Sequence, residues 1–253
     1  MVNCPLHLKW FTGMLGNQQP RDLIKITFRL LLSPKTIKSS RLTNLMKQAF
    51  FITGTDTGVG KTYVACKRIK QFVAQGYKVI GMKPVAAGCE LVNGEWVNDD
   101  VLKLEAASNV RAPRALTNPY SFNEPIAPHI AAHLAGVTIE TDVIQQAFFE
   151  LTKLADIVIV EGAGGLLVPL NDNETIADLI VKLNIPVILV AGIRLGCINH
   201  AMLTFESIKT HGILLHGWVS NQIEPNMQQS HANILTISKK INLEPLLSYN
   251  FNN

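Results

Sequence analysis

Residues 50–62, FFITGTDTGVGKT, join a short apolar run to a glycine-rich turn that ends in Gly-Lys-Thr. This layout is typical of a phosphate-binding loop, in which backbone N–H groups and a helix N-terminus face a polyphosphate. In such a loop Lys61 would reach the outer phosphates, and the Thr62 hydroxyl would bind Mg²⁺.

The glycine spacing of this loop departs from the usual pattern. The pattern G-x-x-x-x-G-K-[ST] places glycine at position 55, whereas this chain has Thr55 and carries the glycine one place earlier, at Gly54. An ordinary strand-to-helix turn containing Gly-Lys-Thr is therefore an alternative. Three glycines within seven residues, after an apolar run and before a helical pattern, favour the phosphate-binding interpretation.

The rest of the chain alternates apolar runs with helical patterns. Strands are predicted at 50–53, 79–82, 157–160, 186–190 and 217–220, and helices at 61–74, 100–107, 130–134, 141–154, 175–183, 199–211 and 225–241. This alternation predicts an α/β fold of the P-loop NTPase kind, with a doubly wound, mostly parallel sheet and helices on both faces. We expect residues 46–253 to form a single domain.

Composition narrows the class of protein. The 253 residues are 47% hydrophobic and 17% charged, which is enough apolar material for a core. No run approaches the ~20 apolar residues of a membrane span. Four scattered cysteines form no CxxC or Cys/His cluster (Cys4, Cys66, Cys89, Cys197). They indicate free thiols in a reducing compartment, so we expect a cytoplasmic protein with no membrane partner.

The first 45 residues differ in charge from the rest. They hold seven basic side chains and one acid, a net of +6, which leaves −2 of the total of +4 for the remaining chain. The predicted domain therefore gives no electrostatic case for nucleic-acid binding. Residues 1–45 are consistent with a transit peptide, with an unstructured extension, or with a start codon placed too early, Met46 being the true start.

Two charged residues, Lys83 and Glu161, stand where ligands bind in such folds, beyond the carboxyl ends of parallel strands, and a third, Asp100, stands at a predicted helix start. Glu161 ends a β-branched run beside the predicted loop and suits Mg²⁺, although a solvated strand-end glutamate is the alternative. Lys83 precedes Pro84 at another strand end and points at a phosphate, at an acidic intermediate, or at solvent. Asp100 is either a metal ligand or the N-cap of its helix.

Other candidates are weaker. Residues 194–199, RLGCIN, precede a helix whose amides would suit a carboxylate. His129, His133 and His200 lack metal-ligand neighbours and are interpreted as structural or exposed. Cys197 stands next to a helix start, but no histidine base lies at motif distance, so thiol chemistry is not proposed.

Taken together, six segments resemble the dethiobiotin synthetase family. They are GTDTGVGKT at 54–62, KPVAAG at 83–88, NPY at 118–120, EGAGG at 161–165, LGCINH at 195–200 and GWVSN at 217–221. The likeness spans about 48 to 247, and the first, fourth and fifth segments are distinctive in combination. The family's phosphate loop also carries its first glycine one place early.

The resemblance implies an ATP- and Mg²⁺-dependent ring closure of diaminopelargonate with CO₂, giving dethiobiotin, ADP and phosphate. A substrate amine takes up CO₂ as a carbamate, the carbamate oxygen attacks the γ-phosphoryl group of ATP, and the second amine displaces phosphate. Family members are homodimers, so the partners implied are diaminopelargonate, CO₂ or bicarbonate, ATP and a second copy of the chain.

The resemblance also implies roles for individual residues. Lys83, Lys61 and Thr57 would be catalytic, and Thr62, Asp100 and Glu161 would bind the metal. A larger set of residues would bind the nucleotide and the substrate. Asn221 would recognise adenine. The helix start at Gly196–Asn199 would bind the carboxylate of the substrate that lies in the active site of the partner subunit. For ATP the set is Gly58, Val59, Gly60, Lys61, Thr62, Asp100, Glu161 and Asn221; for substrate it is Thr57, Lys83, Gly164, Gly196, Cys197, Ile198 and Asn199.

Three departures from the family pattern stand out. Ala87 replaces a serine found in some relatives, which predicts one polar substrate contact fewer. Gly58 replaces an acid seen in some relatives. The sequence ends at Asn253, six residues past Leu247, where relatives continue with a segment over the nucleotide base; weaker adenine binding is the expectation.

Two other classes share this type of fold. A dimeric ATPase switch of the partitioning or septum-positioning type would carry an extra lysine near Thr55 and Asp56, and often a membrane- or DNA-binding surface. An amide-forming synthetase of the cobalamin pathway would carry a glutaminase domain. Residues 46–253 show none of these features. A catalytically weakened synthetase is the remaining alternative.

Overall fold

The computed structural model describes residues 48–251, so the interpretations of residues 1–45 lie outside the described residues. The strands are β1 Gln48–Gly54, β2 Val79–Met82, β3 Val85–Ala87, β4 Glu90–Val92, β5 Glu95–Val97, β6 Tyr120–Phe122, β7 Ile157–Glu161, β8 Val187–Ile193, β9 Leu215–Gln222 and β10 Leu247–Tyr249. The helices are α1 Lys61–Ala74, α2 Asp99–Ala107, α3 Arg114–Thr117, α4 Pro128–Leu134, α5 Thr141–Leu154, α6 Ile176–Leu183, α7 Cys197–Thr210 and α8 Ser230–Ile241.

Six strands form the central sheet in the order β10-β9-β8-β1-β7-β2. Every neighbouring pair in it is parallel. The order places β1, which leads into the phosphate loop, between β7 and β8. In the pairing of β1 with β7, Ile52 lies opposite Glu161, so the glutamate leaves the sheet beside the loop.

The sheet is buried on both faces because its strands are continuous apolar runs. Phe51 and Phe50 alternate across β1, and each belongs to a different core cluster. The Phe50 cluster contains Val64 and Leu104, from α1 and α2. The Phe51 cluster contains apolar side chains from α4, α5, α6, α7 and α8. The doubly wound, parallel α/β fold predicted from the sequence is therefore confirmed.

No strand was predicted from the sequence between β2 and α2, but this segment contains three, β3, β4 and β5. Val85–Ala87 pairs in parallel with Tyr120–Phe122, and Glu90–Val92 forms an antiparallel hairpin with Glu95–Val97. Asn93 and Gly94 connect the hairpin with φ of 53° and 85°. Asn-Gly is a strong two-residue turn signal, so this hairpin could have been predicted from the sequence.

Some predicted helix boundaries were wrong. The last helix begins at Ser230 and not at Pro225, because Gln229 has φ 57° and a left-handed residue cannot continue an α-helix upstream. Helix α2 has Asn98 as its N-cap, with the side chain accepting from the Asp100 and Val101 amides. The cap role considered for Asp100 is therefore excluded. Within residues 48–251 no helix combines the length and apolarity that crossing a membrane requires.

Candidate active site

The loop between β1 and α1 is shaped by its glycines. Gly58 and Gly60 have φ of 73° and 90°, a region that favours glycine. Gly54 is needed for a different reason: a Cβ there would lie 2.7 Å from Val59 Cγ2 and 3.1 Å from the Asp56 carbonyl oxygen. The early glycine that departs from the usual motif is thus required for close packing of the loop on itself.

Lys61 begins α1 and lies inside the loop. Its Nζ donates to the Asp56 carbonyl oxygen at 2.8 Å, and its side chain is buried. Burial, followed by the nearby Lys83 cation, lowers the pKa of Lys61 to about 8. A buried cation that donates to a neutral carbonyl oxygen is well suited to pair with an incoming polyphosphate.

Lys83, Glu161, Asp100 and Thr62 form one connected polar cluster. Lys83 Nζ donates to Glu161 Oε1 at 2.7 Å and to Asp100 Oδ2 at 2.8 Å. Thr62 Oγ1 donates to the same Glu161 oxygen at 2.7 Å. Residues separated by up to 99 positions in the chain thus meet at one point beside the phosphate loop.

The charges of this cluster stabilise one another. Burial alone would lower the pKa of Lys83, but the carboxylates of Glu161 and Asp100 outweigh it and raise the pKa. Burial would likewise raise the pKa of Asp100, yet the Lys83 cation keeps it below its usual value. Lys83 is therefore an ammonium and Asp100 a carboxylate at neutral pH.

The backbone around Lys83 is fixed by neighbouring segments. Its N–H donates to the Thr117 carbonyl at 2.8 Å, and its carbonyl accepts from Asn118 Nδ2 at 2.7 Å. The Asn118 amide also donates to the Tyr120 carbonyl at 3.0 Å. The NPY segment noted in the sequence therefore holds the end of β2, and with it the lysine, in place.

Oxygen ligands for a hard cation are available in this cluster. Glu161 is 1% exposed, and its buried Oε2 has no hydrogen-bond partner among residues 48–251. Among residues 48–251, no group of three or more His, Cys, Asp or Glu is placed to hold a metal ion alone. Mg²⁺ is commonly bound by one or two carboxylates with water and substrate phosphates, so Glu161, Asp100 and the Thr62 hydroxyl fit that ion.

The cluster opens into a cleft of about 640 Å³. Most predicted site residues line it: Thr57, Gly58, Gly60, Lys61, Thr62, Lys83, Asp100, Glu161 and Gly164. The apolar wall made by Val85, Ala87, Val168 and residues 125–128 also lines the cleft. Except for Ala87, this wall was not predicted from the sequence; the signal that could have indicated it is the proline-rich composition after Asn118.

Three sets of predicted residues lie elsewhere. Val59 is buried inside the loop. Asn221 lies near the end of β9, where its Nδ2 donates to the Val59 carbonyl at 2.9 Å. Gly196–Asn199 does not line the cleft of its own chain; Gly196 has φ 90° and is the N-cap of α7. The adenine contact of Asn221 and the carboxylate contact of Gly196–Asn199 stay predictions.

Known proteins resemble this chain over most of its length. A family model described as an AAA domain matches residues 48–248. The ATP-dependent dethiobiotin synthetase of Nitrosospira multiformis is 54% identical over 202 residues, covering 80% of this chain and 87% of that relative. The chain belongs to the ATP-dependent dethiobiotin synthetase family. The family member of Aromatoleum aromaticum is 48% identical, covering 79% of this chain and 88% of its own.

Solved structures agree on the fold. The septum site-determining protein MinD of Pyrococcus horikoshii superposes with a TM-score of 0.52 at 13% identity, covering 81% of this chain and 82% of its own. For a ParA family ATPase from Chlorobium tepidum the TM-score is 0.52 at 14% identity, and the superposition covers 82% of this chain and 85% of that protein. At such low identity these likenesses show the P-loop NTPase fold alone.

Proposed function

We propose that this chain, as a dethiobiotin synthetase, uses ATP and Mg²⁺ to close the ureido ring of diaminopelargonate with CO₂, giving dethiobiotin, ADP and phosphate. The observation that carries the proposal is the buried Lys83, held between Glu161 and Asp100 beside the phosphate loop. A fixed cation at that place suits a reaction in which a neutral amine becomes an anionic carbamate and then an acyl phosphate.

The phosphate loop supports the role of ATP. Lys61 would leave the Asp56 carbonyl for the outer phosphates, while the loop amides and the N-terminus of α1 face the same oxygens. Thr57 and Gly164 line the cleft next to these groups and would contact the reacting end of the substrate. Positioning of the two reactants is expected to supply much of the rate acceleration.

Thr62, Asp100 and Glu161 would hold Mg²⁺, and the unpartnered Oε2 of Glu161 supports this assignment. When bound, the ion neutralises phosphate charge during phosphoryl transfer. Lys83 would stay beside the carbamate and stabilise its negative charge. The carbamate oxygen displaces ADP from the γ-phosphorus, and the second amine then displaces phosphate from the carbonyl carbon, losing its proton as the ring closes.

The cleft wall supports a substrate with an alkyl chain. Val85, Ala87, Ile126 and Val168 present apolar surface next to the polar cluster, as a diamine on a hydrocarbon chain requires. The carboxylate at the far end of the substrate would be bound by Gly196–Asn199 of a partner subunit, because that segment lies outside the cleft of its own chain. A homodimer and a cytoplasmic location belong to this proposal.

The test is phosphate release by the full chain with ATP, Mg²⁺ and bicarbonate, measured with and without diaminopelargonate. The proposal expects release that requires the diamine. Slow release that ignores the diamine would contradict it and favour a nucleotide switch or a weakened synthetase.

A further inference from the structure

Asp56 places a negative charge on the loop that we propose binds polyphosphate. Its Oδ1 accepts from the Thr57 amide at 2.7 Å, and its backbone carbonyl accepts from Lys61 Nζ at 2.8 Å. The residue is thus bonded to two groups of the nucleotide-binding loop. Yet a carboxylate close to a polyphosphate repels it, because like charges disfavour each other even across a partly solvated gap. Something must offset this charge.

Arg194 meets the remaining oxygen of that carboxylate. Arg194 directly follows β8, which ends at Ile193. Its guanidinium donates to Asp56 Oδ2, although the two residues are 138 positions apart in the chain. A second hydrogen bond joins the end of β8 to the start of the phosphate loop, because the Gly192 amide donates to Thr55 Oγ1 at 3.4 Å. The guanidinium is therefore carried to the phosphate loop by a strand of the central sheet.

We propose that Arg194 is a positioning residue that neutralises Asp56 and so allows the loop to accept a polyphosphate. The inference rests on the nucleotide binding in the proposed function. Arg194 acts through Asp56: with the guanidinium in place, the carboxylate orders the Thr57 amide without repelling the phosphates. Without the guanidinium, the Asp56 carboxylate repels the phosphates of the nucleotide.

The Arg194–Asp56 pair is partly exposed to solvent, so we expect its loss to affect nucleotide binding and not folding stability. The side chains of Arg194 and Asp56 are 33% and 44% exposed. Ion pairs this exposed contribute little to folding stability. The loss of Arg194 should therefore leave thermal stability nearly unchanged and weaken nucleotide binding selectively, so that KM for ATP rises while KM for the diamine is unaffected.

Calorimetric titration of the full chain with Mg·ADP and Mg·ATP, without the diamine, tests this directly. Arg194→Ala should weaken the binding of both nucleotides roughly five- to twentyfold. Arg194→Lys should weaken their binding less. The decisive variant is Arg194→Ala with Asp56→Asn. The amide keeps an oxygen for the Thr57 N–H but carries no charge, so binding should return to within about threefold of wild type.

A matched arginine pair away from the cleft provides the control. Arg114 and Glu105 pair at 3.1 Å with 33% and 24% exposure, so Arg114→Ala should leave nucleotide affinity unchanged. If Asp56→Asn does not restore binding to Arg194→Ala, or if Arg194→Ala binds like wild type, the inference is wrong. A wild-type chain that binds no nucleotide would instead overturn the proposed function, and this inference with it.

Discussion

Lys83 Nζ lies 2.7 Å from Glu161 Oε1, in a salt bridge whose side chains are 7% and 1% exposed. The two residues come from the ends of β2 and β7, neighbouring parallel strands of the central sheet. A buried ion pair of this kind is costly to break, because removing one partner leaves an unpaired charge in a medium of low dielectric constant. The cluster therefore depends most on Lys83, whose removal would leave the Glu161 and Asp100 carboxylates without their shared cation.

Replacing Lys83 by Met should therefore damage both stability and activity. We expect a loss of about 3–5 kcal/mol in the free energy of unfolding and a fall in kcat on the order of 10²–10³. Denaturant unfolding and steady-state kinetics measure these. Adding Glu161→Gln to Lys83→Met should recover part of the stability and none of the activity. Unchanged kcat in the single variant would contradict the role given to Lys83.

The single variant Glu161→Gln tests the role of this residue in metal binding while the protein stays folded. Asp100 still pairs with Lys83 at 2.8 Å, so the fold should survive. The Mg²⁺ concentration for half-maximal activity should rise on the order of 10- to 100-fold, because a carboxylate ligand is lost. Thr62→Ser keeps the hydroxyl and should behave like wild type, whereas Thr62→Ala should not. An unaltered Mg²⁺ dependence in the glutamine variant would remove Glu161 from the metal site.

Gly54→Ala tests the packing explanation of the early glycine. A Cβ there would lie 2.7 Å from Val59 Cγ2 and 3.1 Å from Lys61 Cγ. Overpacking of this kind costs about 1–3 kcal/mol, and nucleotide affinity should fall because the loop is displaced. Gly165→Ala is the matched control, since its Cβ would meet only the Gly54 carbonyl oxygen at 3.7 Å. Equal unfolding free energies for the two variants would show the explanation to be wrong.

The lowered pKa of Lys61 predicts pH-dependent nucleotide binding. Below about 8 the free protein already carries the cation that the phosphates require. Above that value the free protein has lost the proton, and since bound phosphates favour the charged form, binding must take one up. The Kd for ATP should then rise by up to about tenfold per pH unit.

Lys61→Arg provides the control for this pH dependence, because a guanidinium stays charged throughout the range. Titrations at several pH values, in buffers of different ionisation enthalpy, would measure the proton uptake directly. A wild-type affinity that stays constant between pH 7 and about pH 9.5 would contradict the assigned role of Lys61.

The sequence was sufficient for five of the six strands of the central sheet, because these are largely continuous β-branched and apolar runs. Ile157–Glu161 and Val187–Ile193 are fully buried, so their patterns have one interpretation. The short strand Leu247–Tyr249 was missed because it has no such pattern and forms only by pairing with β9. Val85–Ala87 was missed for the same reason, since its partner strand starts 35 residues later, at Tyr120.

The site was predicted in part. Lys83 and Glu161 were identified because parallel strands bring their carboxyl ends to one edge of the sheet. They do meet there, together with Asp100 from the first turn of α2. Contacts that depend on side-chain direction were not accessible. Nothing in the local pattern indicates that Arg194 reaches Asp56, or that Asn221 donates to the Val59 carbonyl.

The proposed ring closure is tested most directly by following labelled carbon. The full chain is supplied with ¹⁴C-bicarbonate, Mg·ATP and diaminopelargonate, and ADP, phosphate and labelled dethiobiotin are quantified together. We expect equal amounts of all three products, each dependent on the diamine, and no labelled product from Lys83→Met. ADP and phosphate formed at the same rate without the diamine, and no label in dethiobiotin, would contradict it.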